Sequence, residues 1–308
     1  MAEYVVKMGQ NLIDVALTLY GSIEGLLDLM VNNPGLSLDT EIRNGDKLNY
    51  TPYYYEDTTV LQYYKSNDIV PSNRVGDIYM KKMDNLKVEI YESAVTGECG
   101  FIASGEGDIY VDWGDNSDIE KITLSSTPLN FTHQSLGQTS SIRKIRFYGN
   151  FKLYTINVSG LIPSRIFFFS TVSIETMGIS GAMDLMDINF MTMVLPENVV
   201  EIEFVKTRIK DATPLIPFKN AHTINLGYCN MTTSVLDKFL IGLVENYGIR
   251  RNCTVNLTGS ALPPGEYKKP ENMLHPKTGM EAIWVLVNEH KEPSGPWKII
   301  LNNKTYTI

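Results

Sequence analysis

Asp112, Asp115 and Asp118 stand close together, and acids at this spacing suit two chemistries. They can hold a divalent cation, or they can accept local backbone amides in a turn. A calcium loop carries a denser set of oxygen ligands than three acids supply. The turn is therefore the expectation, and no metal site is assigned. The histidines at 133, 222, 275 and 290 show no His-x-x-x-His or His-Glu-x-x-His spacing. Asn288-Glu289-His290, flanked by Trp284 and Trp297, is the nearest approach to a polar cluster, and a solvated loop after a strand accounts for it. Cys99, Cys229 and Cys253 lack the Cys-x-x-Cys spacing of a zinc site. Their odd number argues against a disulfide scaffold. Semi-buried thiols are the expectation, with a Cys229–Cys253 bridge left open. No Gly-x-Ser-x-Gly elbow or Gly-x-x-x-x-Gly-Lys phosphate loop occurs. A glycosidase needs only two carboxylates brought together in space, and among 35 Asp and Glu the order of residues does not decide that. Without a motif, the expectation is a protein that is not an enzyme and uses no cofactor.

The elements that would position such residues are clearest over 1–52. Tyr4-Val5-Val6-Lys7 reads as a short strand. Asn11 suits a helix cap, with Asp14 in the first turn. Leu12, Val15, Ala16 and Leu19 then repeat at helical spacing. Gly21 stops that helix and Ser22 caps a second one, which carries Leu26, Leu27, Leu29, Met30 and Val31. Asn32-Asn33-Pro34-Gly35 makes a turn. Ile42, Asn44-Gly45-Asp46, Leu48 and Tyr50 read as a turn feeding a closing strand.

This order resembles a lysin-motif (LysM) domain. Gly9-Gln10-Asn11-Leu12-Ile13-Asp14-Val15-Ala16 is similar to its opening, Tyr20-Gly21-Ser22 to its interhelical break, and Asn33-Pro34-Gly35-Leu36 to its second turn. Asn49-Tyr50-Thr51-Pro52 departs from the usual ending, an aliphatic residue followed by Pro. The resemblance implies two readings. One is a groove for N-acetylglucosamine-containing glycans, here formed by Gly9, Gln10, Asn11, Asn33, Pro34 and Gly35. The other is the structural joint that degenerate copies supply in phage tails and baseplates. Caps and turns by themselves also account for Asn11 and Asn33-Pro34-Gly35.

Residues 53–86 read as a connector, rich in tyrosine and helical from Thr58 to Ser66. Strands begin at Leu86, where apolar and charged residues alternate. Gly97, Gly100, Gly105 and Gly107 are read as turns. Ile109-Tyr110-Val111-Asp112-Trp113-Gly114-Asp115 resembles the hairpin of PKD-type immunoglobulin-like sandwiches, with His133 in the place of a His before a later strand and Trp113 as a structural, buried residue. From Ile142 short apolar strands recur about every 11 or 22 residues. They include Ile166-Phe167-Phe168-Phe169, Thr176-Met177-Gly178-Ile179 and Val200-Glu201-Ile202-Glu203-Phe204. Asn225-Leu226-Gly227-Tyr228-Cys229-Asn230 resembles the strand-to-turn step of a leucine-rich repeat. An irregular β-solenoid and a second sandwich both stay open for 142–308. Ser234–Glu245 reads as a helix, and Ile283-Trp284-Val285-Leu286-Val287 as a strand.

The fold class expected is multidomain: a small α+β LysM-like module over 1–52, a connector over 53–86, a PKD-like β domain over 87–141 and an irregular, repeat-like, β-rich domain over 142–308. The net charge of -8 and the lack of a basic run beyond pairs such as Arg250-Arg251 exclude a phosphate-binding stripe, and so nucleic acid as a partner. No stretch reaches the roughly 18 apolar residues of a membrane span. The start of the chain lacks a secretory signal, so synthesis in the cytoplasm and residence in a virion or tail particle are expected. The function these features imply is structural, in a phage or prophage tail or baseplate, with other assembly proteins as partners. A peptidoglycan-binding surface adhesin is the alternative.

Overall fold

The computed structural model describes residues 2–7, 9–38, 40, 42–72, 83–92, 97–115, 117–135, 143–290 and 296–308. The protein is mainly β, with one large mixed sheet and few helices. It divides into two compact units. The first comprises Met1–Lys81, Trp113–Asp118 and Ser135–Ser141; the second comprises Lys82–Asp112, Ile119–Gln134 and Ile142–Ile308.

In the first unit β1 (Ala2–Val5) pairs antiparallel with β2 (Lys47–Tyr50). Between them lie α1 (Leu12–Tyr20), a 3-10 turn at Ile23–Gly25 and α2 (Leu26–Asn32). The start of α1 follows from a reciprocal cap. The Asp14 amide donates to Asn11 Oδ1 and the Asn11 amide donates to Asp14 Oδ2, each at 2.9 Å. Its end follows from Gly21, which takes φ 66° and donates its amide to Leu17 O. The apolar faces close on a core of Val6, Leu12, Val15, Ala16, Tyr20, Leu29, Ile42 and Leu48. The helix anticipated in the connector forms as α3 (Thr58–Ser66), capped by Asp57. The Asp57 amide donates to Tyr20 O at 2.8 Å, so this segment is tied to the end of α1.

The second unit begins with β3 (Leu86–Glu92), β4 (Glu98–Asp112), β5 (Glu120–Thr123) and β6 (Leu129–Gln134). β7 (Arg143–Tyr148), β8 (Phe151–Asn157) and β9 (Pro163–Phe168) follow. These pair antiparallel, β3 lying between β7 and β9. The sheet joins strands from either side of residues 136–142. β7, β8 and β9, which come after that segment, pair with strands that come before it.

From β8 onward the pairing becomes parallel. β10 (Thr176–Ser180), β11 (Glu201–Val205), β12 (Thr223–Asn225), β13 (Thr254–Asn256) and β14 (Lys298–Leu301) stack in chain order, and β15 (Lys304–Tyr306) returns antiparallel. One rung of this ladder runs Ile156, Met177, Ile202, Ile224, Val255 and Ile299, all at most 1% exposed. Two residues on from each, Val158, Ile179, Phe204, Leu226, Leu257 and Leu301 are buried as well. Period two brings both sets to one face, and each such side chain contributes roughly 1.5–3 kcal/mol of gross hydrophobic stabilisation. α4 (Thr233–Glu245) lies between β12 and β13 in the chain and packs on α5 (Gly279–Asn288).

Two sequence expectations are corrected. Ile283–Val287 lies in α5, not in a strand. A short apolar run has no decisive periodicity, and here Thr278 accepts the Glu281 amide as a helix cap while almost the whole circumference of the helix is buried. Gly100, Gly105 and Gly107 lie inside the 15-residue β4 instead of at turns. They are there because neighbouring backbone comes too close for a side chain. A Cβ on Gly100 would stand 2.3 Å from Phe131 O, and one on Gly105 would stand 1.9 Å from Lys152 O. The register with β8 shifts at Ser104/Gly105, where β8 carries the extra residue Tyr154 as a bulge.

Gly105→Ala is expected to destabilise the second unit by about 2–5 kcal/mol, because backbone strain and overpacking act together there. Urea unfolding followed by tryptophan fluorescence checks this. A change below about 0.5 kcal/mol, the usual size for an innocuous surface site, would contradict the close approach of β4 and β8.

Candidate functional site

Three of the six residues expected to line a sugar groove have side-chain polar atoms committed elsewhere. Gln10 is buried. Its Oε1 accepts from Tyr4 OH and the Lys7 amide, and its Nε2 donates to Thr18 Oγ1 and Pro71 O. Asn11 caps α1. Asn33 Nδ2 donates to Leu29 O and Asn49 O, and its Oδ1 accepts the Asn49 amide, which fastens the end of α2 to β2. Gly9 takes φ 78° as a turn residue, while Pro34 and Gly35 are exposed.

A buried polar contact holds the same unit together. Tyr20, fully buried, donates its hydroxyl to Asp28 Oδ2 at 2.5 Å, and the Thr51 amide donates to the same oxygen at 2.8 Å. Burial pushes the Tyr20 hydroxyl well above its ordinary value, and the neighbouring carboxylate adds to this. Burial acts against ionisation of Asp28 too, but the hydrogen bonds from Tyr20 and Thr51 outweigh it and hold the carboxyl below its usual value.

Outside that contact the unit presents apolar surface. Ile23, Leu27 and Val31 recur at four-residue steps and are 57%, 57% and 70% exposed. Tyr53, Tyr54 and Tyr55 are exposed as well. Ile23, Leu26, Leu27 and Met30 line a groove of about 620 Å³ together with Tyr54 and Tyr55. Contiguous apolar surface of this kind marks interaction sites.

The acidic triplet does not converge. Asp112 Oδ2 faces Arg146 Nη1 at 3.4 Å, and Asp115 Oδ1 accepts the Ser117 amide at 3.1 Å, beside Gly114 at φ 70°. Among the described residues no three His, Cys, Asp or Glu side chains gather as metal ligands. Trp113, just after β4, is fully buried. His133 lies within β6, opposite Cys99 of β4, and ahead of β7 in the chain. His290 stacks on Tyr247 with ring centroids 3.4 Å apart, and Tyr247 OH joins Asn252 Oδ1 and Trp297 Nε1. The expected solvated loop is therefore part of a packed seam. Tyr247 and Asn252 lie far from His290 in the chain and carried no signal of it. The three cysteines are buried, and Cys229 and Cys253 form no bridge. Cys229 Sγ donates to Phe204 O at 2.8 Å, and burial pushes the Cys253 thiol up to about 12.

Two acid–base sets are buried in the sheet. Glu92 pairs with Arg143 across β3 and β7, the side chains 0% and 1% exposed, and burial raises the Glu92 carboxyl in spite of Arg143. Arg146 bridges Glu89 at 2.6 Å and Asp112. Groups closed off in this way have no route to a substrate. Their charge pairing is structural, since losing one partner would strand the other.

The other face of the parallel ladder carries Thr155, Thr176, Glu201, Thr223, Thr254 and Lys298 in register. Asparagines end several of its strands. Asn157 Oδ1 accepts the Ser159 amide, Asn225 Oδ1 the Gly227 amide and Asn256 Oδ1 the Thr258 amide, each two residues on. These side chains turn the backbone out of the sheet. Asn256 Nδ2 also donates to Asn225 Oδ1 at 3.0 Å, linking successive rungs.

Because the Asp28 carboxyl is lowered, its stabilisation is present above its unfolded value of about 4 and is lost as pH falls through the lower folded value. Exchange of the amides of α1 and α2, corrected for intrinsic rates, should speed up below about pH 4. Asp28→Asn should cost about 1–3 kcal/mol at pH 7 and remove that acid step; an unchanged step would place its origin elsewhere. The folded protein should also leave Cys229 and Cys253 unmodified by a thiol reagent at pH 8, with reaction appearing only on unfolding.

Among the described residues no helix is long and apolar enough to cross a membrane. No family model, curated protein or solved structure matches the chain.

Proposed function

We propose that the chain is a non-enzymatic component of a multiprotein assembly, of the phage or prophage tail or baseplate kind that its first unit resembles. The observation that carries this reading is the exposed apolar stripe of Ile23, Leu27 and Val31 with Tyr53, Tyr54 and Tyr55. It occurs on the unit whose candidate sugar-binding amides, at Gln10 and Asn33, are turned to internal partners. A joint in an assembly needs the first feature, and a glycan groove needs the second to be otherwise. The strand-helix-helix-strand order with antiparallel closure supports the LysM-like reading of residues 1–52. The parallel ladder with its asparagine turns supports the leucine-rich-repeat-like reading of the later strands, and β4 running into the Gly114 turn supports the PKD-like one. Virion residence and tail proteins as partners belong to this proposal.

The protein should be recovered in tail particles purified from cells that encode it. Leu27→Lys with Val31→Lys should reduce that recovery by about tenfold or more while circular dichroism stays unchanged, given the apolar area the two side chains offer a partner. Purified protein should neither sediment with peptidoglycan sacculi nor release soluble fragments from them. Sedimentation that disappears in Asn11→Ala or Asn33→Ala would favour the adhesin. Fragment release abolished by one Asp or Glu substitution would make the protein a hydrolase.

A further inference from the structure

β9 ends the strand order β7-β3-β9, and among the described residues no strand pairs with its outer edge. A groove of about 820 Å³ runs there. One wall is formed by Ser164, Arg165, Ile166, Phe167 and Phe168, five residues in succession. Strand side chains alternate between faces, so a hollow over one face would meet every second residue. A hollow that meets five in a row lies along the main chain. The Phe169 amide donates to Lys87 O on the β3 side. Antiparallel alternation therefore turns the amides and carbonyls of Ile166 and Phe168 toward the groove. The facing wall supplies Met186, Phe190 and Met193, with Asp184 and Asp187 exposed at its rim. The Phe168 and Phe190 rings meet edge-on, with centroids 5.5 Å apart.

We propose that the β9 edge takes up an extended segment of a partner protein as an added strand, apolar at alternate positions and carrying a Lys or Arg toward Asp184 and Asp187. The main-chain ladder supplies affinity, the apolar wall selects alternate side chains, and the acidic rim selects the charge. A second copy of this chain fits less well. It would bring its own facing wall and its own pair of acids to the same edge, on a chain of net charge -8. The proposal rests on the assembly reading and names the kind of segment the partner offers.

The probes are four fluorescent peptides of the form Lys-(Thr-Φ)₃, with Φ as Val, Ile, Leu or Phe, titrated into the full chain. At least one should bind saturably. Its two N-methylated forms, one modified at the Thr amides and the other at the Φ amides, should then separate. One should lose about tenfold or more and the other should stay near the parent, because only one set of amides can face β9. Replacing the peptide Lys by Glu, or Asp184→Lys with Asp187→Lys in the protein, should also weaken binding by about tenfold at low salt. Binding by none of the four peptides, equal loss in both methylated forms, or a dimer of the pure protein that excludes the peptide would overturn the proposal. If the Leu27 and Val31 substitutions still strip the protein from particles, only this site falls; if they do not, the assembly reading itself falls.

Discussion

β4 has to satisfy two sets of neighbours with one backbone. Its first half, Glu98 to Ala103, lies against β6, and Ile102 to Gly107 pair with β8. Its second half pairs with β5 through Asp108 to Val111 and with β7 through Tyr110 to Asp112. A straight, uniformly pleated strand could not change partners on both edges within so few residues. The register shift at Ser104/Gly105, where β8 carries the extra residue Tyr154, and the positive φ of Gly105 and Gly107 supply the local break. The antiparallel strands and the parallel ladder then belong to one sheet, because β8 borders β4 on one edge and β10 on the other.

The ladder beyond β8 is stabilised by repetition. Each strand adds two buried apolar residues to the same face, and an asparagine at its end often turns the chain out. Strands of three to five residues are too short to stand alone, so each relies on the rung before it. Where the connection must be long, α4 and α5 fill it and pack on each other. In β3, β4 and β7 the buried ion pairs Glu92–Arg143 and Glu89–Arg146–Asp112 match across neighbouring strands. Such pairs reward the native register, since a slip of one residue would move each charge to the opposite face of the sheet.

The proposed function rests on the surfaces of the molecule. The Glu92–Arg143 pair and the Tyr20–Asp28 contact are shut away from solvent, and burial raises the Cys229 and Cys253 thiols. What the molecule presents outward are the apolar stripe on α2 and the threonine-bearing face of the ladder. To these β9 adds an edge with which no strand among the described residues pairs. Sheet edges and apolar patches are what a folded chain normally conceals, because they invite further pairing. The proposed role in an assembly would give the chain reason to keep them open.

Local chemistry was enough to find much of this. The Asn11–Asp14 cap and the Gly21 stop placed α1, and the alternation of apolar residues placed β10 and β11, because caps, left-handed glycines and period-two burial each depend on a few adjacent residues. Tertiary structure decided the rest. Gly105 reads as a turn until Lys152, 47 residues later, is seen to press its carbonyl against it. Ile283 to Val287 reads as a strand until the burial of α5 against α4 favours the helix. Gln10 and Asn33 look like sugar ligands until Pro71 and Asn49 take their amides. The Tyr247–His290–Trp297 seam and the groove beside β9 are made of residues distant in the chain, and which of them meet is decided only when strands are ordered in the sheet.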